Sequence, residues 1–205
     1  MQPDHPAFRE FAATVYRVVA PLRPADAMMA RLAAASELRR LGRNDHLLRI
    51  GEEARHIFFI LRGLVRFYYL DADTGVERTG QFFDEGRVMT DVESYFGRVP
   101  ARLSIQALEE SEVVALPREV ILASYDADHA MERYGRLMVE EALAGAQLRA
   151  SRLLTLSPDE RYEAFVTLRP EVARRLPQYV IASYLGITPE GLSRIRGRRT
   201  RQPPD

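Results

Sequence analysis

The segment 178–196 constrains the fold more than any other part of the sequence. Ile181 and Leu185 are four residues apart and share one face of a predicted helix. Gly186 supplies the left-handed residue that a tight turn between two helices requires, and Thr188 is a good N-cap for the second helix. This arrangement is typical of a helix-turn-helix, which lays its second helix into the major groove of DNA.

The outer face of the second predicted helix is polar and basic. Leu192 and Ile195 are expected to face the core, which leaves Glu190 and Arg194 outward, near the base edges, and places the later arginines beside phosphates. An ordinary buried helical hairpin would share the apolar spacing but does not require this basic face. The predicted DNA-binding residues are Thr188, Glu190, Ser193, Arg194, Arg196, Arg198 and Arg199.

Charge is distributed unevenly along the chain, although 29 basic residues balance 29 acidic ones. From Arg149 onward there are 11 arginines against 6 acidic residues, and the preceding part has the opposite excess. The basic part contains the predicted helix-turn-helix, as phosphate binding requires.

Composition excludes several classes of protein. With 205 residues, of which 46% are apolar, the chain suits one large domain or two small ones. The absence of cysteine excludes disulfides, iron–sulfur clusters and thiolate zinc sites. The N-terminal sequence does not resemble a signal peptide, and no apolar run approaches the ~18 residues of a membrane span. We therefore expect a cytoplasmic protein with no membrane partner.

Short apolar runs separated by turn residues dominate the first half of the chain after two predicted helices, Phe8–Val19 and Ala25–Ala35. This spacing predicts a small barrel or jelly roll. The eight predicted strands are Leu38–Leu41, Leu47–Ile50, Ile57–Leu61, Leu64–Leu70, Thr79–Phe83, Val88–Met89, Leu103–Leu108 and Val113–Leu116.

A long helix is predicted over Asp126–Leu154, followed by a shorter one over Asp159–Thr167. A stripe along the long helix repeats at roughly heptad spacing and predicts the seam of a parallel homodimer. The alternative is that the stripe packs only on the chain's own barrel. The seam residues are Met131, Tyr134, Met138, Ala142, Gly145 and Leu148. The predicted domains are residues 1–125, the dimerisation helix 126–156 and the helix-turn-helix domain 157–205.

The order of barrel, long helix and helix-turn-helix resembles the Crp/Fnr family of bacterial transcription regulators. The residues that carry the resemblance are Gly51–Gly63, Phe82-Phe83 with Gly86, Ile105–Val113 and Gln178–Arg196. The resemblance implies an α+β fold with an N-terminal β-roll or jelly-roll sensor domain, a long dimerisation helix and a C-terminal, winged-helix-like helix-turn-helix domain. It also implies a dimeric regulator rather than an enzyme. The partners it implies are double-stranded DNA, a second copy, RNA polymerase and an unidentified small-molecule effector.

The predicted ligand pocket departs from the pattern of family members that bind cyclic AMP. Those members carry a Gly-Glu pair and then an Arg-Ser or Arg-Thr pair, whereas Thr90-Asp91 stands in the first position here. Arg102 is shifted by one residue, and such a slip in a strand turns a side chain to the opposite face. We therefore expect no cyclic-nucleotide cofactor. The pocket residues that the resemblance implies are Phe83, Thr90, Asp91, Arg102 and Ser104.

Other chemistry has little support in the sequence. The four histidines do not have the spacing of a metal site, and neither a P-loop nor a nucleophile elbow is present. A competing hypothesis is a ligand-binding or protein-interaction module that has lost DNA recognition. Two features support it. Few residues follow Arg196 in which a second wing strand could form. Gly191 lies within the recognition helix and costs it about 1 kcal/mol of stability relative to alanine.

Overall fold

A computed structural model of the chain describes residues 1–201, with side chains up to Arg198. Two helices, α1 (Pro6–Val19) and α2 (Asp26–Ala35), precede the strands. The strands are β1 (Glu37–Leu41), β2 (His46–Leu48), β3 (His56–Arg62), β4 (Val65–Leu70), β5 (Glu77–Phe83), β6 (Val88–Met89), β7 (Ser104–Ala107) and β8 (Ser111–Pro117). Helix α3 (Val92–Gly97) lies between β6 and β7. The C-terminal helices are α4 (Arg118–Ala127), α5 (His129–Thr155), α6 (Pro158–Leu168), α7 (Pro170–Arg175), α8 (Gln178–Leu185) and α9 (Pro189–Arg201).

The eight predicted strands are confirmed and form two four-stranded sheets, in the orders β1-β8-β3-β6 and β2-β7-β4-β5. Strand β3 explains how one sheet serves two cores, because successive side chains of a strand point to opposite faces. Phe58 and Ile60 join the core inside the β-roll. Phe59 and Leu61 join a second core formed with α1, α2 and α5. A strand buried on both faces reads as a continuous apolar run, as Ile57–Leu61 does.

In the second core, aromatic rings pack the N-terminal helices against the sheet. Phe11 contacts Phe8, Phe59 and Tyr134, with ring centroids 5.7, 5.5 and 6.2 Å apart. The first pair is tilted and the other two are edge-on, and edge-to-face contact is an arrangement that aromatic rings prefer. The start of α5 is therefore part of the chain's own interior.

The long helix begins later than predicted. Asp126 belongs to α4, which ends at Ala127 with Asp128 as its C-cap, and α5 starts at His129. The carboxylate of Asp128 accepts hydrogen bonds from the backbone N–H groups of Ala130 and Met131 at 2.9 and 3.2 Å. An aspartate that caps a helix in this way separates two helices that apolar spacing alone would merge.

Two short helices were not predicted from the sequence. Asp91 caps α3 by accepting a hydrogen bond from the Ser94 N–H, and Arg98 ends it with a left-handed backbone. Helix α7 starts with Pro170 in its first position. Within residues 118–201 there is no strand, so the described C-terminal region is helical and shows none of the strands of a winged helix.

The chain divides into two compact units. The first unit contains residues 1–67 and 82–142, and the second contains residues 68–81 and 143–205. The hairpin 68–81 therefore groups with the C-terminal helices, although it is formed by the ends of β4 and β5. No helix within residues 1–201 combines the length and the apolar character needed to cross a membrane.

Candidate nucleic-acid interface

Helices α8 and α9, joined by a short turn at Gly186, lie where the sequence predicts the helix-turn-helix. Gly186 ends α8 with φ of 69°, and the N–H of Ile187 donates to the carbonyl of Ala182 at 3.0 Å. The hydroxyl of Thr188 accepts a hydrogen bond from the N–H of Gly191 at 3.1 Å, so Thr188 caps α9 as predicted. The turn and cap chemistry inferred from the sequence is confirmed.

The two faces of α9 are separated as the sequence predicted. Leu192 and Ile195 are buried against α8, where Val180, Ala182 and Leu185 are also buried. The opposite face is exposed to solvent, and it carries Thr188, Glu190, Ser193, Arg194, Arg196 and Arg198. The side chain of Arg199, which was also predicted to hold phosphate, lies outside the described residues.

The electrostatics of the exposed face keep Glu190 ionised. Its own backbone N–H and the hydroxyl of Thr188 donate to the carboxylate, and the guanidinium of Arg194 lies nearby; together they lower the pKa of Glu190. An ionised glutamate is an acceptor for a cytosine amino group, and an arginine fork matches guanine O6 and N7. The first turns of α9 therefore present one acceptor and one donor of the kinds that read base edges.

Arg198 differs from the other predicted phosphate contacts because it already has an acidic partner. Its Nη2 lies 2.5 Å from a carboxylate oxygen of Asp159, in the first turn of α6. Both side chains are more than half exposed, and such a pair is weak and screened by salt. A DNA phosphate would have to compete with Asp159 for this guanidinium.

Two arginines that the sequence analysis did not single out hold the last turn of α8. Arg161 of α6 donates to the carbonyls of Leu185, at 3.0 Å, and of Leu156, at 2.7 Å. Arg149 of α5 donates to the carbonyl of Tyr184, and its guanidinium lies 3.8 Å from the centre of the Tyr184 ring. Burial lowers the pKa of Arg149, and the charge of Arg161 lowers it further. Cations at a helix C-terminus stabilise it, but no local sequence pattern could have found partners so distant in the chain.

The polar residues of the predicted ligand pocket are engaged within the chain. Asp91 caps α3, and Thr90 donates to the carbonyl of His56 at 2.9 Å. The hydroxyl of Ser104 accepts from the N–H of Ile50 at 3.1 Å. Arg102 lies just before β7, and its side chain is 80% exposed and faces Glu93 at 3.8 Å.

Phe83, the apolar member of this set, packs on the ring of Phe67 with centroids 4.4 Å apart. None of the five predicted pocket residues lines the cavity of about 400 Å³ that opens elsewhere on the β-roll. Leu48 and Phe58 contribute apolar walls to that cavity, and Glu53 contributes a carboxylate. Arg118 donates to Glu53 at 2.6 Å, and this hydrogen bond lowers the pKa of Glu53. Among the described residues no group of three histidines or acidic side chains could hold a metal ion.

The predicted dimer seam needs correction at its N-terminal end. Met131 is fully buried and Tyr134 is 4% exposed, both within the core shared with α1 and α2, so they have no surface for a partner. Met138 also packs partly against this core. The large apolar residues that α5 does expose are Val139, Leu143, Leu148, Leu153 and Leu154.

Comparisons with known proteins agree with this architecture. Residues 38–128 match the family model of the cyclic nucleotide-binding domain. FixK2 from Bradyrhizobium japonicum is similar with a TM-score of 0.73 and 21% identity, over 82% of this chain and 85% of that chain. A putative Crp/Fnr transcriptional regulator from Eubacterium rectale is similar with a TM-score of 0.73 and 14% identity, over 86% and 84%.

A third similar structure is CLP from Xanthomonas campestris, described as a global regulator responsive to c-di-GMP. Its TM-score is 0.68 at 17% identity, over 86% of this chain and 92% of that chain. No curated protein sequence matches the chain. Residues 38–128 therefore match the cyclic nucleotide-binding domain, and the chain shares its fold with these solved structures, one of which is a putative transcriptional regulator of the Crp/Fnr family.

Proposed function

We propose that the chain is a sequence-specific, DNA-binding regulator of transcription that acts as a homodimer and not as an enzyme. The observation that carries the proposal is α9, a capped helix whose apolar side is buried and whose exposed side presents Glu190, Ser193 and Arg194. This helix lies in the basic part of the chain, so phosphate attraction and base reading are provided by the same region. The similar structures include regulators of gene expression, which supports the same function.

The proposed dimer seam follows the exposed side of α5. Val139, Leu143, Ala146, Ala150 and Leu153 recur at spacings of four and three residues, which is a heptad repeat, and all five are exposed in the single chain. The two alanines allow the helices of two protomers to approach closely. In the proposed seam, this stripe takes the place of Met131 and Tyr134, and Ala142 lies beside the stripe. Gly145 and Leu148 lie toward other sides of the helix.

A parallel pair of such helices about a two-fold axis presents the two reading helices with the same symmetry as a palindromic operator. The half-sites are expected about one helical turn of DNA apart. Arg194 and Glu190 then read equivalent bases in each half-site. Arg196 holds phosphates without reading sequence, and we assign the same role to Arg198 and Arg199.

The β-roll is proposed to act as a sensor whose effector is not cyclic AMP. Asp91 is committed to capping α3, and Arg102 is exposed beside Glu93. Neither residue is available in the way that a glutamate for ribose and an arginine for a cyclic phosphate would be. RNA polymerase is the expected further partner in transcription.

Fluorescence anisotropy with a labelled duplex from upstream of the protein's own gene tests the proposal. Binding should be specific against unrelated competitor DNA and should weaken steeply between two salt concentrations, because counterions are released. Arg194→Ala should reduce the preference for the specific duplex. Arg9→Ala, which changes an exposed arginine of α1, is the matched control and should leave binding unchanged. Absence of DNA binding in every condition would instead support the competing module without DNA recognition.

A further inference from the structure

The cavity of about 400 Å³ in the β-roll opens between β2 and the turn that leads into β3. Its volume lies within the range of roughly 300–1,000 Å³ that small-molecule sites occupy, and such sites combine apolar walls with a few fixed polar groups. The apolar walls include Leu47, Leu48 and Phe58. The polar side chains at the cavity are Glu52, Glu53, Arg55 and His56.

A buried arginine holds the carboxylate of Glu53 in place. The side chain of Arg118 is only 6% exposed, and its Nη2 donates to Glu53 at 2.6 Å. Its Nη1 donates to the carbonyls of Ala54 and Tyr95, each at 3.2 Å, which fixes the guanidinium. The Glu53 side chain remains 29% exposed, and an ionised carboxylate accepts about four hydrogen bonds. Glu53 therefore presents a fixed acceptor with capacity for a further donor.

The imidazole of His56 supplies a donor at the same cavity. Its ring stacks on Phe58 with centroids 5.9 Å apart, and Nη2 of Arg39 lies 3.4 Å from its Nε2. A guanidinium can only donate, so Nε2 is the acceptor and the ring proton is on Nδ1. Burial lowers the pKa of His56, and the charge of Arg39 lowers it further, so the imidazole is neutral at neutral pH. The Nδ1–H group and the guanidinium of Arg55, which is 71% exposed, are two donors beside the carboxylates.

We propose that this cavity binds a small zwitterion with an apolar side chain, of the class of the apolar α-amino acids. The ammonium group donates to Glu52 and Glu53, and the carboxylate accepts from Arg55 and from Nδ1–H of His56. The apolar side chain packs on the walls of the cavity. The inference rests on the proposed sensor role of the β-roll and names the chemical class of its effector.

The charges at the cavity favour a zwitterion over an ion of one sign. Glu52 and Glu53 stand against Arg55, and Arg118 pairs with Glu53 from within the protein, so the two signs balance. An anion alone would face both carboxylates. A cation alone would leave the donors of Arg55 and His56 without a partner once the cavity is closed by ligand, and unmade hydrogen bonds of this kind weaken binding.

Isothermal titration calorimetry on the full chain without DNA tests the site, with L-leucine and L-phenylalanine as probes. We expect saturable binding at one site, and at least roughly tenfold weaker binding of isocaproate and isoamylamine, which each lack one charged group of leucine. Arg55→Gln should weaken leucine binding roughly tenfold and leave isoamylamine unaffected, whereas Glu52→Gln should weaken both. Arg43→Gln, which changes an exposed arginine outside the cavity, is the matched control.

The amide NMR signals of Ala54 and His56 should shift during the leucine titration, and thermal unfolding reports whether each variant is folded. Absence of saturable binding by both amino acids would overturn the site. Binding that neither Arg55→Gln nor Glu52→Gln weakens would also overturn it, and isoamylamine binding as tight as leucine binding would overturn the zwitterion. None of these outcomes affects the DNA assay, in which failure to bind any duplex would overturn the proposed function instead.

Discussion

Replacing Leu143 by glutamate tests where the two protomers meet. Leu143 lies in the middle of the exposed heptad stripe of α5 and is 59% exposed in the single chain. In the proposed dimer this side chain is covered by the partner's helix. A glutamate there loses the apolar contact and must also bury a charge, which is unfavourable without a partner of opposite sign.

The size of the effect follows from the exposed fraction. Full burial of a leucine contributes about 1.5–3 kcal/mol, so covering the exposed 59% contributes about 0.9–1.8 kcal/mol for each copy. Two-fold symmetry places the residue in the seam twice, which gives about 1.8–3.5 kcal/mol for each dimer. The dimer dissociation constant should therefore rise at least about 20- to 400-fold.

Sedimentation velocity over a dilution series measures this dissociation constant directly. Leu148→Glu is the matched control, because Leu148 is 51% exposed but lies about 140° around the helix from Leu143. We expect Leu148→Glu to remain dimeric at concentrations where Leu143→Glu is monomeric. A monomeric unmodified protein would refute the dimer, and equal or greater weakening by Leu148→Glu would place the seam on the side that the sequence alone suggested.

Further predictions concern base reading, the pocket and packing. Arg194→Ala should cost about 1–3 kcal/mol of DNA affinity and relax the preference at one base pair of each half-site, as measured with a panel of substituted duplexes. Arg198→Ala should weaken binding to all sequences alike and reduce the slope of log affinity against log salt concentration by about one. Calorimetry should show no micromolar binding of cyclic AMP or cyclic GMP, and micromolar binding abolished by Arg102→Ala would refute this. Gly135→Ala should destabilise the protein by about 1–3 kcal/mol in denaturant unfolding, because the added Cβ would lie 2.5 Å from the Tyr125 ring.

Much of this architecture follows from signals that extend over only a few residues. The left-handed Gly186, the Thr188 cap and the alternation of apolar runs with turns depend on backbone preferences and on neighbouring hydrogen bonds. These signals identified the strands and both faces of α9. The Asp128 cap is equally local, but the apolar spacing continues across it and predicts a single uninterrupted helix.

Tertiary structure decided which side of α5 is free and what holds α8. Met131 and Tyr134 are removed from the surface by helices at the other end of the chain, through contacts such as that with Phe11. The hydroxyl of Ser183 meets the carbonyl of Glu77, a residue 106 positions away. Amphipathic spacing shows that a helix has an apolar side, but that side is covered by whichever element packs on it. The identity of that element depends on pairings between residues that are distant in sequence, so only the folded chain distinguishes its own core from a surface left for a partner.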